Sequence, residues 1–240
     1  MSMRNWIQKL SAGIFLLLFL FFGQYNLSAQ NQDSLVQALS VAKHDTQRIK
    51  TLILLSEVCD RNDILKYAEP AKKLCENAIA NNIEPIKFYL SNLGNAVNNI
   101  GYYYSKIDYF EKALENYKAA LKIHEQTNDM QLAAYDLNNI AFVYDNLGNV
   151  PIALEYFYKN LKVQENIKDT IGIAYTLNNI GYAFMIQKNY SKAIDYFNKS
   201  FKMFNVIHYK KGMAMMYGNF GVIYNSLKNN NASLAYHQKA

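Results

Sequence analysis

Proline is scarce, at three residues in 240. A chain so poor in the residue that breaks helices is free to build long ones. Charge is thin too: Asp, Glu, Lys and Arg make up 18% against 51% hydrophobic residues. A disordered chain needs the opposite balance. Two cysteines and four histidines are too few for a disulfide framework. HExxH, His/Cys ligand spacings, a GxSxG elbow and a Gly-rich phosphate loop are all missing. The ten glycines stand singly. His44, His124, His208 and His237 read as lone surface residues, and Asp60 and Asp63 as turn residues. Net charge is +6, yet no Lys/Arg run is present; bases neighbour acids, as in Glu111-Lys112 and Lys168-Asp169. A basic balance without a cluster is a solvated surface rather than a nucleic-acid tract. The expectation is therefore a protein that is not an enzyme, with no metal, no cofactor and no nucleic-acid partner.

The amino terminus has its own character. Arg4 and Lys9 precede IFLLLFLFF at residues 14–22, and the polar stretch GQYNLSA follows at 23–29. This is the layout of a secretory signal peptide. Its apolar run is shorter than the ~20 residues needed to cross a bilayer. Cleavage after Ala29 would take the charge from +6 to +4 by removing Arg4 and Lys9. No cysteine follows the run to carry a lipid, and no second apolar run of spanning length exists. The mature chain is expected to be exported to the periplasm or outside the cell, without a membrane span. The alternative is an anchor formed by the same segment left uncleaved.

What is abundant is repetition. Asn98-Asn99-Ile100-Gly101-Tyr102 returns as Asn138-Asn139-Ile140-Ala141-Phe142 and as Asn178-Asn179-Ile180-Gly181-Tyr182, then more loosely around Asn219. A second block, Lys112-Ala113-Leu114-Glu115-Asn116-Tyr117, returns at 152–157, 192–197 and, worn, at 232–237. Both blocks keep one and the same step, the mark of a repeat architecture. Leu177, Ile180, Gly181 and Phe184 fall at i, i+3, i+4 and i+7, one face of a helix. Turn-rich residues separate the blocks, with Pro151 suited to a first helical turn and Ser191 placed to cap one.

The unit resembles the tetratricopeptide repeat (TPR), which spaces small residues between large apolar ones. Its pattern is met by Leu177, Ile180, Gly181, Phe184, Ala193, Phe197 and Ser200, and by Val97, Ile100, Gly101, Tyr104, Ala113, Tyr117 and Ala120. The unit from Ala134 puts Asn160 where the last small residue belongs, and a degenerate unit from Ile49 has Lys72 in an aromatic position. The resemblance implies an all-α, helix-turn-helix superhelical solenoid of about five units, near 49–82, 94–127, 134–167, 174–207 and 214–240. Residues 1–29 are the signal peptide and 30–46 a lead-in to a solenoid over 47–240. The period exceeds that of the standard unit. In this it is similar to the long-unit subtype of kinesin light chains and bacterial sensor proteins, and implies longer helices.

The resemblance also implies that the first helix of each pair lines a concave groove for a protein or peptide. The groove positions would be held by Asn98, Asn99, Tyr102, Tyr135, Asn138, Asn139, Phe142, Tyr175, Asn178, Asn179, Tyr182 and Asn219. Asn offers both donor and acceptor to a peptide backbone, and Tyr or Phe supplies desolvated area. The competing reading has the asparagines bonding neighbouring helices and the tyrosines packing between units. Lys106 is the one basic candidate there, too little for a carboxylate-binding clamp.

Cys59 and Cys75 sit at packing positions, which favours buried thiols over a disulfide. The chain stops at Ala240, inside a unit and without a cap; the expectation is that it is cut short, that its end self-associates, or that the final helix frays. The whole resembles the ectodomain of bacterial membrane sensor histidine kinases and related regulators. The functional expectation is a non-catalytic binding scaffold in the cell envelope, or else the sensory part of such a signalling protein.

Overall fold

The computed structural model describes residues 29–240, and the regular structure among them is entirely helical. The signal-peptide reading falls outside the described residues, apart from Ala29. The lead-in is a helix, α1 (Ala29–Val41). Five antiparallel pairs follow. They are α2 (Asp45–Val58) with α3 (Ile64–Ala80), α4 (Ile86–Lys106) with α5 (Phe110–Thr127), α6 (Met130–Asn146) with α7 (Val150–Asn166), α8 (Thr170–Ile186) with α9 (Tyr190–Val206), and α10 (Lys210–Ser226) with α11 (Asn230–His237). A single 3-10 turn, Arg61–Asp63, joins α2 to α3.

From α6 to α10 every helix has 17 residues, and short links of constant length close the period. The link chemistry repeats after every helix from α4 to α10. Asp108, Asn128, Gly148, Lys168, Lys188, His208 and Lys228 all have positive φ, between 53° and 75°. The next amide then bonds back five residues, as in Asp129 N–H to His124 O at 2.8 Å and Asn189 N–H to Phe184 O at 2.9 Å. This is the Schellman closure of a helix C-terminus. The same residue opens the following helix. Asn149, Asp169, Asn189 and Asn229 each accept from the amide three residues on. Pro151 lies in the first turn of α7. The cap of α9, however, is Asn189 rather than Ser191. The link is too short to place the cap any later than the residue after the left-handed one.

Within each pair the small residues meet aromatic rings. A methyl on Gly101 would come within 2.9 Å of Tyr117, one on Gly181 within 2.6 Å of Phe197, and one on Gly221 within 2.6 Å of His237. Phe157, Phe197, Phe204, Met216 and Phe220 form the largest buried cluster. A second aromatic series runs beside it: Tyr144 on Tyr156, Phe184 on Tyr196 and Tyr224 on Tyr236, stacked at 5.3–5.7 Å. Lys159, Lys199 and Lys239 cover the outer ring of each stack at 4.8–5.8 Å. Cys59 and Cys75 are free thiols, with Cys75 fully buried. Among the described residues no helix is long and apolar enough to cross a membrane.

Candidate functional site

The first helices of successive pairs lie beside one another. α2 touches α4 and α4 touches α6 directly. Side-chain hydrogen bonds join α6 to α8 and α8 to α10. Second helices are linked by longer arms, as in the Tyr158–Tyr196 hydroxyl pair at 2.9 Å. First helices therefore occupy the inner side of the stack, where solenoids present their concave surface.

The asparagine ladder sits on this side, bonded within the protein. Asn179 Nδ2 donates to Asn138 Oδ1 at 2.8 Å, and Asn219 Nδ2 donates to Asn178 Oδ1 at 2.7 Å. Asn178 also donates to Asn179 at 3.2 Å. Asn99 donates to Ser56 at 2.8 Å, and Asn98 to Asp136 at 2.5 Å. Asn138 and Asn178 are buried, whereas Asn98, Asn99, Asn139, Asn179 and Asn219 are half-buried. Six of these seven asparagines, all but Asn139, thus take part in side-chain bonds, most of them between neighbouring hairpins. Tyr175 likewise packs between units: it is buried, edge-on to Phe204 at 5.0 Å, with its hydroxyl 3.4 Å from that of Tyr209.

The aromatics toward the carboxyl ends of the first helices keep exposed surface. Tyr102, Phe142 and Tyr182 take the same position in three successive hairpins, and all are half-buried, as is Tyr135. Burial pushes the phenols of Tyr102 and Tyr182 up to about 12, and the Asp145 carboxylate adds to the shift at Tyr182. Lys106 Nζ lies 5.0 Å from the Tyr102 ring. Two carboxyl groups share this side. Desolvation raises Asp145 to about 6 and Glu57 to about 7, with a hydrogen bond from Asn99 opposing the rise at Glu57. Glu57 stands where the next hairpins carry Tyr102, Phe142 and Tyr182; the degenerate first unit concealed it from the motif reading.

Each junction between hairpins carries its own pair. His124 Nδ1 lies 2.6 Å from Asp136 Oδ2, both fully buried, so His124 is not the surface residue expected. One hairpin on, Gln164 and Thr176 take these places, and after them Phe204 and Met216, all buried. Burial raises the Asp136 carboxyl against the pull of His124. Neither residue belongs to the repeat signature, so nothing in the pattern distinguished them. The other histidines, His44, His208 and His237, are exposed. Among the described residues no group of three His, Cys, Asp or Glu is placed to hold a metal ion.

A curved stack of helix hairpins with a half-open aromatic inner face belongs to the class of α-solenoid binding proteins. More particularly, the chain carries tetratricopeptide repeats: residues 131–205 and 94–127 each match a model described as "Tetratricopeptide repeat". No curated protein matches it by sequence. Among solved structures it is similar to BtubC (BKLC) from P. vanneervenii, with 18% identity and TM-score 0.67 over 88% of this chain and 87% of that one. It is also similar to aspartyl phosphate phosphatase F from Bacillus subtilis, with 14% identity and TM-score 0.68 over 87% of this chain and 62% of the other. The Rap conjugation gene regulator of plasmid pLS20, solved with the Phr peptide, gives 13% identity and TM-score 0.64 over 92% and 59%. The chain spans about three-fifths of the length of the last two. At these identities the likeness is one of fold.

Proposed function

We propose that this protein is a non-catalytic scaffold of the cell envelope that holds a peptide or protein segment along its inner face. The carrying observation is the row Tyr102, Phe142 and Tyr182, one half-buried ring per hairpin at a constant position. Such a row offers exposed apolar area on rings already held by packing, with few rotamers left to lose on binding. A solved neighbour of the same fold holds a peptide, which supports the reading by analogy of fold. The asparagines serve the groove indirectly, by fixing the spacing of its rings. Export rests on the charged, apolar and small-residue succession of residues 1–29. The sensory part of an envelope kinase or regulator is the alternative setting, and the groove would do the same work there.

The test is capture from envelope extract, read by mass spectrometry. The wild type is compared with a Tyr102→Ala, Phe142→Ala, Tyr182→Ala variant shown to be folded by circular dichroism. Specific partners should be retained by the wild type and lost by the variant. Equal retention by both places binding elsewhere.

A further inference from the structure

The junction between the hairpins α6–α7 and α8–α9 is polar where the next one is apolar: Gln164 and Thr176 stand where Phe204 and Met216 follow. A cavity of about 20 Å3 lies there, lined by Tyr135, Asn138, Asn160, Gln164, Tyr175 and Thr176, among others. Its polar lining departs from the repeat at two positions. One hairpin on, the place of Gln164 is taken by Phe204, an apolar ring 5.0 Å from that of Tyr175; Gln164 and Phe204 press equally closely on their facing glycines, Gly172 and Gly212. One hairpin earlier it is taken by His124, bonded to Asp136. At the middle junction Asn160 occupies a position that is Ala120 and Ser200 in the adjoining units.

Asn160 is 2% exposed and Gln164 4% exposed. Asn160 donates Nδ2 to Thr176 Oγ1 at 3.1 Å. Asn160 Oδ1 and Gln164 Oε1 are buried acceptors without a hydrogen-bond partner. A buried acceptor left unmatched is costly, so a pair of them around one cavity calls for a donor. At the rim stands Asp169, whose Oδ1 accepts from Gly172 N–H at 2.9 Å and whose Oδ2 accepts from Gln131 Nε2 at 3.0 Å. It brings a formal negative charge. Tyr135 and Tyr175 add aromatic rings to the lining, a surrounding compatible with a cation.

We infer that this cavity is a subsite for the ammonium group of a lysine side chain on a bound peptide. The inference rests on the peptide-binding reading above and deepens it. An ammonium carries three donors and no acceptor, which suits a site of unmatched oxygens. It is about the size of a water molecule, the volume such a cavity admits. A guanidinium is a flat group of four heavy atoms and does not fit. Tyr135, Asn138 and Tyr175 line the cavity from first helices, the helices along which the peptide would run.

The experiment uses four blocked tripeptide amides: acetyl-Ala-Lys-Ala and its norleucine, arginine and acetyl-lysine counterparts. A fifth, unblocked Ala-Ala-Ala amide presents the amino-terminal amine instead. Each is titrated calorimetrically into wild-type protein and into an Asn160→Ser, Gln164→Phe variant. The variant copies Ser200 and Phe204 of the next hairpin, so its melting temperature should not fall. The lysine peptide should bind the wild type at least 10-fold more tightly than the other four and lose that margin in the variant. Equal binding of the lysine and norleucine peptides overturns the subsite while leaving the groove standing. So does a margin that survives in the variant, or a complex crystal holding only an ordered water in the cavity. Absence of any peptide binding, with partners still captured from envelope extract, also removes the subsite alone. Failure of both experiments removes the groove as well.

Discussion

At the scale of single residues, the inner asparagines carry the sharpest consequence. Asn138 and Asn178 are buried acceptors for amides on neighbouring helices. Truncating both to alanine leaves the amides of Asn179 and Asn219 unmatched, at about 1–3 kcal/mol for each partner lost. A clear fall in melting temperature is expected; an unchanged melting curve would return these residues to ligand contact. Glu57 makes a pH prediction. Its carboxyl is raised from 4.5 to about 7, chiefly by desolvation. The folded state keeps the proton up to near neutrality, while the unfolded chain releases it above the lower value. Stability from this group is full below 4.5, is lost as pH rises toward about 7, and is level above that. Glu57→Gln should flatten this fall in a melting-temperature profile from pH 4 to pH 8, and a profile that keeps its slope would assign the effect elsewhere.

At the scale of elements, the links decide where helices stop. Seven of the eight left-handed link residues, Asn82 included, are not glycine. A side chain in that conformation costs roughly 1 kcal/mol or more. Lys188→Gly should therefore raise stability by about 1 kcal/mol, read as a higher denaturant midpoint with an unchanged slope. The neighbouring Gly148, already relaxed at φ 75°, serves as the internal comparison: Gly148→Lys should lower the midpoint by a similar amount. The abundance of tyrosine finds its use at this scale too. Stacks such as Tyr144 on Tyr156, covered by Lys159, recur along one seam of the hairpins. Many of the rings are thus structural, and Tyr102, Phe142 and Tyr182 are a subset with other surroundings.

At the scale of the whole molecule, each hairpin contacts mainly its neighbours, so stability is expected to vary along the stack. The largest buried cluster spans α6 to α10, whereas α11 has eight residues and a single buried one, Ser233. Amide exchange should be slowest in α8 and α9 and fastest in α1 and α11. Uniform protection from end to end would mean the stack opens as one unit. Capture of a segment along the inner face should slow exchange most in α4, α6 and α8, where the aromatic row lies.

The repeat alone determined the architecture. Asn98, Asn138 and Asn178 stand one period apart, and the small residues Gly101, Ala141 and Gly181 keep step with Tyr117, Phe157 and Phe197. Periodicity states which face of a helix is packed, because side-chain direction follows position along a helix. It does not state which polar atoms meet across hairpins. Asn179 with Asn138, and His124 with Asp136, are brought together by the shift and rotation between successive units. Only the tertiary structure decided that Asn179 meets Asn138 and Asn219 meets Asn178, that His124 is buried, and that the acceptors of Asn160 and Gln164 are buried beside one cavity. Those outcomes depend on distances of a few ångströms between chain segments, and a one-dimensional pattern carries no such distance.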